Sequence, residues 1–269
     1  MWTIETAQKP EPGKNQDRIV SVAIAGGGHL VGVFDGHGRS ADAAEMCTHM
    51  FPTLLRDTEE ASSEQSLRLA FEQVAAKTRA LQGGSTATVA LLWETGLVVA
   101  AILGDSPILA RIAPDDVLVG PTHNVGTNEV ERKAAIARGG RYDALFGKII
   151  VRGTGVGYEV SRSFEPEVFR PVISTAPDIR QARIIPGGWI AVMSDGIVDT
   201  TFDTYAANEA VFIELVDSGR TTADIVEYFQ PKKRDDASLI LCRYSRGGEL
   251  VVGDKGPRTT SDMAALEFA

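Results

Sequence analysis

The chain has 269 residues, 43% of them hydrophobic, enough for one large buried core without requiring a second. A formal charge of −9 excludes a protein that tracks polyanions, because nucleic-acid binders present a basic face. The two cysteines, Cys47 and Cys242, are far apart, lack metal-ligand spacing and read as reduced structural thiols of a cytoplasmic protein.

No basic segment followed by an apolar stretch marks the N-terminus. The longest apolar run, 97–103, is far shorter than the roughly 20 residues that cross a bilayer. A soluble monomer with neither a membrane nor a nucleic-acid partner is expected.

In chain order, short apolar or β-branched runs bounded by glycine or aspartate predict strands at 19–25, 30–34, 86–92, 97–103, 189–193 and 238–243. Helices are predicted at 41–55 and 64–81; Leu67, Phe71, Val74 and Thr78 share one face of the second, and Gly83-Gly84 close it. The segment 128–138 reads as a short polar helix closed by Gly139-Gly140, with a glycine-rich stretch at 141–157. It is less apolar than its flanks, so a flap at about 121–157 is expected to leave the core. Two more helices are predicted near 209–216 and 222–229. Residues 1–244 then form one domain and 245–269 a polar tail, of which 263–268 are apolar enough to dock. Strands paired through short turns, with helices grouped apart, predict an α+β fold of antiparallel sheets covered by helices.

Four segments place aspartate at the edge of an apolar strand: Phe34-Asp35-Gly36-His37-Gly38, Leu103-Gly104-Asp105-Ser106, Met193-Ser194-Asp195-Gly196, and Asp235-Asp236 leading into the last strand. Alone, Asp-Gly after a strand is a turn signal. Several carboxylates converging at strand ends repel one another unless cations lie between them, and oxygen-rich sites of that kind suit Mg²⁺ or Mn²⁺. A turn has no use for His37 between two glycines, whereas an imidazole beside metals can protonate a leaving group.

Asp35-Gly36-His37-Gly38, Gly84-Ser85-Thr86-Ala87, Gly104-Asp105-Ser106, Val160-Ser161-Arg162-Ser163-Phe164, Ser194-Asp195-Gly196-Ile197-Val198-Asp199 and Asp235-Asp236-Ala237-Ser238 follow one another in a familiar order. Over roughly 12–243 the chain resembles the metal-dependent protein phosphatases of the 2C type. The resemblance implies two antiparallel sheets sandwiched between helices (αββα), with a small flap insertion and a metal centre at one end. It implies two Mg²⁺ or Mn²⁺ ions, bridged by Asp35, with the Gly36 carbonyl, Asp195 and Asp235 as further ligands and Asp17 on the second ion. Asp105 and Asp199 match positions tied to a third, weaker metal.

The implied activity is hydrolysis of phosphoserine and phosphothreonine in proteins by a metal-bridged water, without a phosphoenzyme, and His37 resembles the general acid. The implied partners are a phosphoprotein and a cognate Ser/Thr kinase or its targets. A catalytically weak pseudophosphatase that binds a phosphoprotein or kinase is the alternative, and a small phosphorylated metabolite is a third possible substrate.

Three positions depart from the family pattern. Gln16 stands where a glutamate is usual, Asp236 replaces an asparagine, and Pro12 holds the place of an arginine that binds substrate phosphate. Gln16 and Asp236 are expected to compensate in charge. If the chain before Asp17 is extended, Lys14 points the same way as position 12 and is expected to serve the phosphate; Arg18 and Arg39 are the alternatives. His29 and His49 read as surface or packing residues and His123-Asn124 as structural. Arg162 is expected to brace the flap and the metal loops.

Overall fold

The computed structural model describes residues 1–199 and 205–245. Almost all of the expected tail, including 263–268, lies outside them. In chain order the elements are β1 (Trp2–Lys9), β2 (Arg18–Ala23), β3 (His29–Phe34), β4 (Gly36–Gly38), α1 (Asp42–Leu55), α2 (Ser63–Thr78), β5 (Gly83–Ser85), β6 (Ala87–Leu92) and β7 (Leu97–Leu103). There follow β8 (Ile108–Ala113), β9 (Asp116–Val119), α3 (Glu129–Ala137), β10 (Arg141–Asp143), β11 (Lys148–Ile150), β12 (Gly157–Tyr158), β13 (Asp178–Arg183), β14 (Trp189–Met193), α4 (Tyr205–Asp217), α5 (Thr222–Lys233) and β15 (Ala237–Tyr244).

Two five-stranded antiparallel sheets carry the fold, one in the order β1-β15-β14-β8-β9 and the other β13-β7-β6-β3-β2. Three apolar layers define the sandwich. Phe51, Leu55, Leu67 and Phe71 of α1 and α2 pack on Leu30, Phe34 and Leu91 of the second sheet. Val31, Val33, Ile102, Ile190, Val192 and Ile240 fill the space between the sheets. Phe212, Ile225 and Phe229 of α4 and α5 cover Trp189, Ala191 and Leu239 of the first. Side chains alternate across each strand, so β3, β6 and β14 must be apolar on both faces, which is why they read as unbroken apolar runs.

Part of the segment 121–157 packs apart from these three layers. Val125, Ala135, Ile149, Val151, Val172 and Ile173 form a separate small cluster, and β10, β11 and β12 make a three-stranded sheet where only a glycine-rich stretch was expected. Two local expectations are corrected. Helix α2 stops at Thr78, and Gly83-Gly84, expected to cap it, belong to β5, which pairs with β4. The chain before Asp17 is not extended: Lys14 N donates to Glu11 O at 3.0 Å, and Gly13 (φ 91°) and Asn15 (φ 59°) are left-handed.

Candidate active site

Strand register collects the acidic loops at one end of the sandwich. In the second sheet Arg18 pairs with Phe34, Val33 with Thr88, and Ala87 with Leu103, so Asp17, Asp35, Thr86 and Asp105 leave the sheet at the same edge. In the first, Met193 pairs with Leu239, which sets Asp195 beside the entry to β15 and hence beside Asp235.

Hydroxyls hold these edges. The Asp35 amide donates to Thr86 Oγ1 at 3.1 Å, the Thr86 amide donates to the Asp35 carbonyl at 2.9 Å, and the Thr86 and Ser106 hydroxyls are 2.6 Å apart. Gly104 turns the chain at φ 112°, and a Cβ there would stand 2.6 Å from the Thr86 side chain, so only glycine fits. Across the sandwich, Ser238 Oγ donates to Asp17 Oδ2 at 2.8 Å.

Asp35, Asp105, Asp195, Asp235, His37 and Glu165 line a cleft of about 730 Å³, with flap residues such as Lys148 and Tyr158 on its far wall. Burial, together with Asp195, Asp17 and Asp105, raises the Asp35 carboxyl well above the usual range; burial with Asp105 and Asp235 does the same to Asp195. Burial also raises Asp105, against a 3.1 Å hydrogen bond from Asn124 Nδ2. Asp17, only 2% exposed and behind the cleft wall, is pushed up to about 6 by burial despite its serine partner.

Among the described residues no three acidic, histidine or cysteine side chains have closed onto one ion-sized point. The carboxylates feel one another through the low-dielectric wall of the cleft.

A positive charge already reaches into this group. Lys14 Nζ donates to Asp235 Oδ1 at 2.7 Å. Burial works against its charge, but Asp235, Asp195 and Asp35 together raise its pKa above the ordinary ammonium value. Lys14 therefore stands in for a cation among oxygen donors, and the donor set fits a hard divalent ion.

Lys14 lines the cleft, but the turned backbone at 13–15 removes the alternation on which its expected place beside substrate phosphate rested. Of the alternatives, Arg18 is held by Glu45 at 2.7 Å, whereas Arg39 is exposed and lines the cleft.

The two atypical positions have separate tasks. Asp236 is 3% exposed, and its oxygens accept four amide hydrogen bonds: Glu11 and Asn15 on Oδ1 at 2.7 and 3.1 Å, Gln16 and Asp17 on Oδ2 at 2.5 and 3.2 Å. It pins the loop that carries Asp17. Gln16 faces the cleft rim, with Nε2 3.4 Å from the Gly38 carbonyl. Gly36 is required beneath it, since a Cβ there would come within 2.6 Å of the Gln16 carbonyl. Asp199 lies 3.5 Å from Lys233 Nζ and close enough to Asp195 to add to its upward shift.

His123 is buried, 1% exposed, beneath the Asp105 turn. The Gly104 amide donates to its Nδ1 at 2.9 Å, so the proton sits on Nε2, which donates to Asp178 at 3.3 Å. Arg162 braces the flap: it donates to Glu131 of α3 at 2.6 Å and to Asp178 at the start of β13 at 3.3 Å. His49 is exposed, and His29 meets Ser21 Oγ at 3.0 Å.

Sequence reasoning missed Glu165. Its side chain is 1% exposed, it contacts His37 Nε2, and it accepts from Ser163 Oγ at 2.6 Å and Tyr158 OH at 3.1 Å. A lone glutamate between Phe164 and Pro166 carries no spacing signal.

The family model described as protein phosphatase 2C matches residues 25–237. The chain belongs to the protein phosphatase 2C family. Within that family, "Probable protein phosphatase 2C 11" of Arabidopsis thaliana is 30% identical over 224 residues, covering 79% of this chain and 57% of that protein. "Probable protein phosphatase 2C 71" of the same plant is 26% identical over 223 residues, covering 79% and 47%. The chain thus spans about half the length of these curated relatives. Among solved structures, a phosphatase from a pathogenic strain of Toxoplasma gondii shares the fold at a TM-score of 0.73 and 17% identity, over 91% of this chain and 93% of that one.

Proposed function

We propose that this phosphatase-2C-family chain is a metal-dependent hydrolase of phosphoserine and phosphothreonine in proteins, opposing a Ser/Thr kinase. The observation that carries the reading is the cluster of Asp35, Asp105, Asp195 and Asp235 on one cleft, with mutual repulsion that already draws in the Lys14 ammonium.

Asp35, Asp195 and Asp235, with the Gly36 carbonyl, would hold two Mg²⁺ or Mn²⁺ ions; Asp105 and Asp199 would serve a third, and Asp17 would add charge from behind. Bound there, such ions supply neutralising charge for phosphoryl oxygens and lower the pKa of water. The chain's own contribution is to orient. Thr86 and Ser106 fix Asp35 and the strand end at Asp105, Arg39 at the rim offers a fork for a phosphate oxygen, and the flap wall narrows access. His37, 30% exposed to the cleft, gives its proton to the departing seryl or threonyl oxygen.

The test is hydrolysis of p-nitrophenyl phosphate and a phosphothreonine peptide across a Mn²⁺ titration. Metal-dependent phosphate release from both is expected. Turnover of the aryl ester alone would move the substrate to a small phosphorylated molecule. Metal binding without turnover of either would favour the binding-module reading, for which the Lys14–Asp235 pair is the supporting observation.

A further inference from the structure

The cleft is larger than its acidic end requires. At about 730 Å³ it has room for more than a phosphoryl group and the side chain that bears it, so neighbouring residues of a substrate fit in the same cavity. Past Tyr158 the lining changes character, from the aspartates to Leu81, Val156, Pro166, Val168 and Phe169. Lys148 and Glu159 on the flap side offset each other at 3.1 Å, and Arg79 beneath the wall is engaged by Glu167 at 3.4 Å.

Val168 is 61% exposed and Val156 40%. Single exposed valines are ordinary; two that share a concave wall with Leu81 and two aromatic rings form a surface kept apolar for something that covers it.

Backbone and side-chain bonds set this wall in advance. Residues Glu167–Phe169 make a single 3₁₀ turn after Pro166. The Glu167 amide donates to the Arg79 carbonyl at 3.0 Å, and the Leu81 amide donates to the Thr78 carbonyl at 3.1 Å, so both sides hang from the end of α2. Arg170 adds a bond to the Ala75 carbonyl of that helix at 2.9 Å. Phe169 stands edge-on to Tyr158, 5.2 Å between centroids at 65°, and Tyr158 OH is anchored on the buried Glu165 carboxylate at 3.1 Å. A wall already ordered loses little entropy on binding, so apolar contact made there is retained as affinity.

We propose that this annex is a subsite for the substrate chain and takes a large aliphatic side chain about two residues from the phosphorylated serine or threonine. The register rests on the phosphatase reading above, which puts the phosphoryl group at the aspartates. An extended peptide carries side chains of one face roughly 6.6 Å apart. The rings along the cleft step at a similar interval, 6.1 Å from His37 to Tyr158 and 5.2 Å from Tyr158 to Phe169, which brings the next side chain of that face over Phe169 and Val168. Leucine or methionine buries apolar surface there, whereas aspartate would lose water without gaining a partner.

The experiment uses phosphothreonine peptides that differ only in carrying Leu, Ala or Asp two residues before, or two residues after, the phosphothreonine. They are assayed at saturating Mn²⁺ with p-nitrophenyl phosphate, too small to reach the annex, as the reference for folded, active enzyme. In one of the two series wild type should prefer Leu over Asp by about 10-fold in kcat/KM, with the difference in KM. Val168→Arg should reverse the order of Leu and Asp, and Leu81→Gln should flatten it. A second readout does not depend on turnover: calorimetry with non-hydrolysable phosphonate analogues of the Leu and Asp peptides, in Mn²⁺, should show the same order in Kd.

Equal kcat/KM for all three peptides in both series, or a Leu preference that Val168→Arg and Leu81→Gln leave untouched, would overturn the subsite while the phosphatase reading stands. If wild type releases phosphate from neither the peptides nor the aryl ester, that reading falls, and the phosphonates decide the subsite alone: tighter binding of the Leu analogue supports it and equal binding removes it.

Discussion

Asp236 gathers the amides of Glu11, Asn15, Gln16 and Asp17 on one carboxylate at the foot of the cleft. Removing it leaves buried donors unsatisfied, so Asp236→Ala should cost about 3 kcal/mol in urea unfolding, with Asp236→Asn in between. Because the Gln16 amide donates to Asp236 Oδ2 and both substitutions change charge at one site, the effects of Gln16→Glu and Asp236→Asn on metal affinity should couple, with the double variant returning toward wild type. Calorimetry with Mn²⁺ on the double variant checks this. Lys14 occupies Asp235, so Lys14→Gln should tighten Mn²⁺ binding in the same assay, by at most about fivefold for an ion pair this exposed. A rise in the substrate KM with unchanged metal affinity would restore the role expected from sequence. Asp35, Asp105 and Asp195 were legible because each follows an apolar strand and Asp235 because it leads into one, whereas Asp17 and Asp199 were legible only through the family resemblance. The tasks of Glu165, Asp236 and Lys14 were not, because they depend on bonds between segments up to 225 residues apart and on two left-handed residues in one loop.

At the level of elements, the flap is clasped to the sandwich by the set Glu131, Ser161, Arg162, Asp178 and His123. Hydrogen bonding to His123, with Arg162 alongside, lowers the Asp178 carboxyl to about 2 against the opposing effect of burial. A depressed acid contributes stability above its unfolded value of about 3.9 and loses it as the pH falls toward its folded value. Asp178→Asn should therefore destabilise the chain at pH 7 by about 1 kcal/mol and approach wild type near pH 2. Unfolding midpoints across that range measure it. Arg162→Ala should leave the sandwich folded while amide exchange accelerates over 129–158, a contrast that exchange mass spectrometry resolves.

Strands buried on both faces, such as β6, β7 and β14, were readable within a residue. The edge strands β1, β9 and β13 were not, since Trp2–Lys9 and Asp178–Arg183 mix charged with apolar side chains and stay half exposed. Interior β8 was missed too, its apolar start giving way to Arg111.

Over the whole molecule, one packing rule explains both the fold and the site. Two sheets bury their inner faces against each other and their outer faces against α1, α2, α4 and α5, so the carboxylates of the site stand at strand ends, where the chain leaves the core. Antiparallel sheets covered by helices were therefore legible from strand and helix grouping, and the αββα sandwich was implied by the family resemblance, whereas the strand order and the flap sheet required the register itself. The acidic cleft is held in place by the core, and its charge opposes folding of the metal-free chain, so Asp35→Asn should leave the metal-free protein at least as stable as wild type. The most direct measurement of the central claim is phosphate release from a phosphothreonine peptide by wild type and Asp35→Asn as Mn²⁺ is raised from zero. The account predicts saturable, metal-dependent release by wild type and none by the folded variant. Equal release by both, or release by wild type that is indifferent to Mn²⁺ and to a chelator, would contradict it.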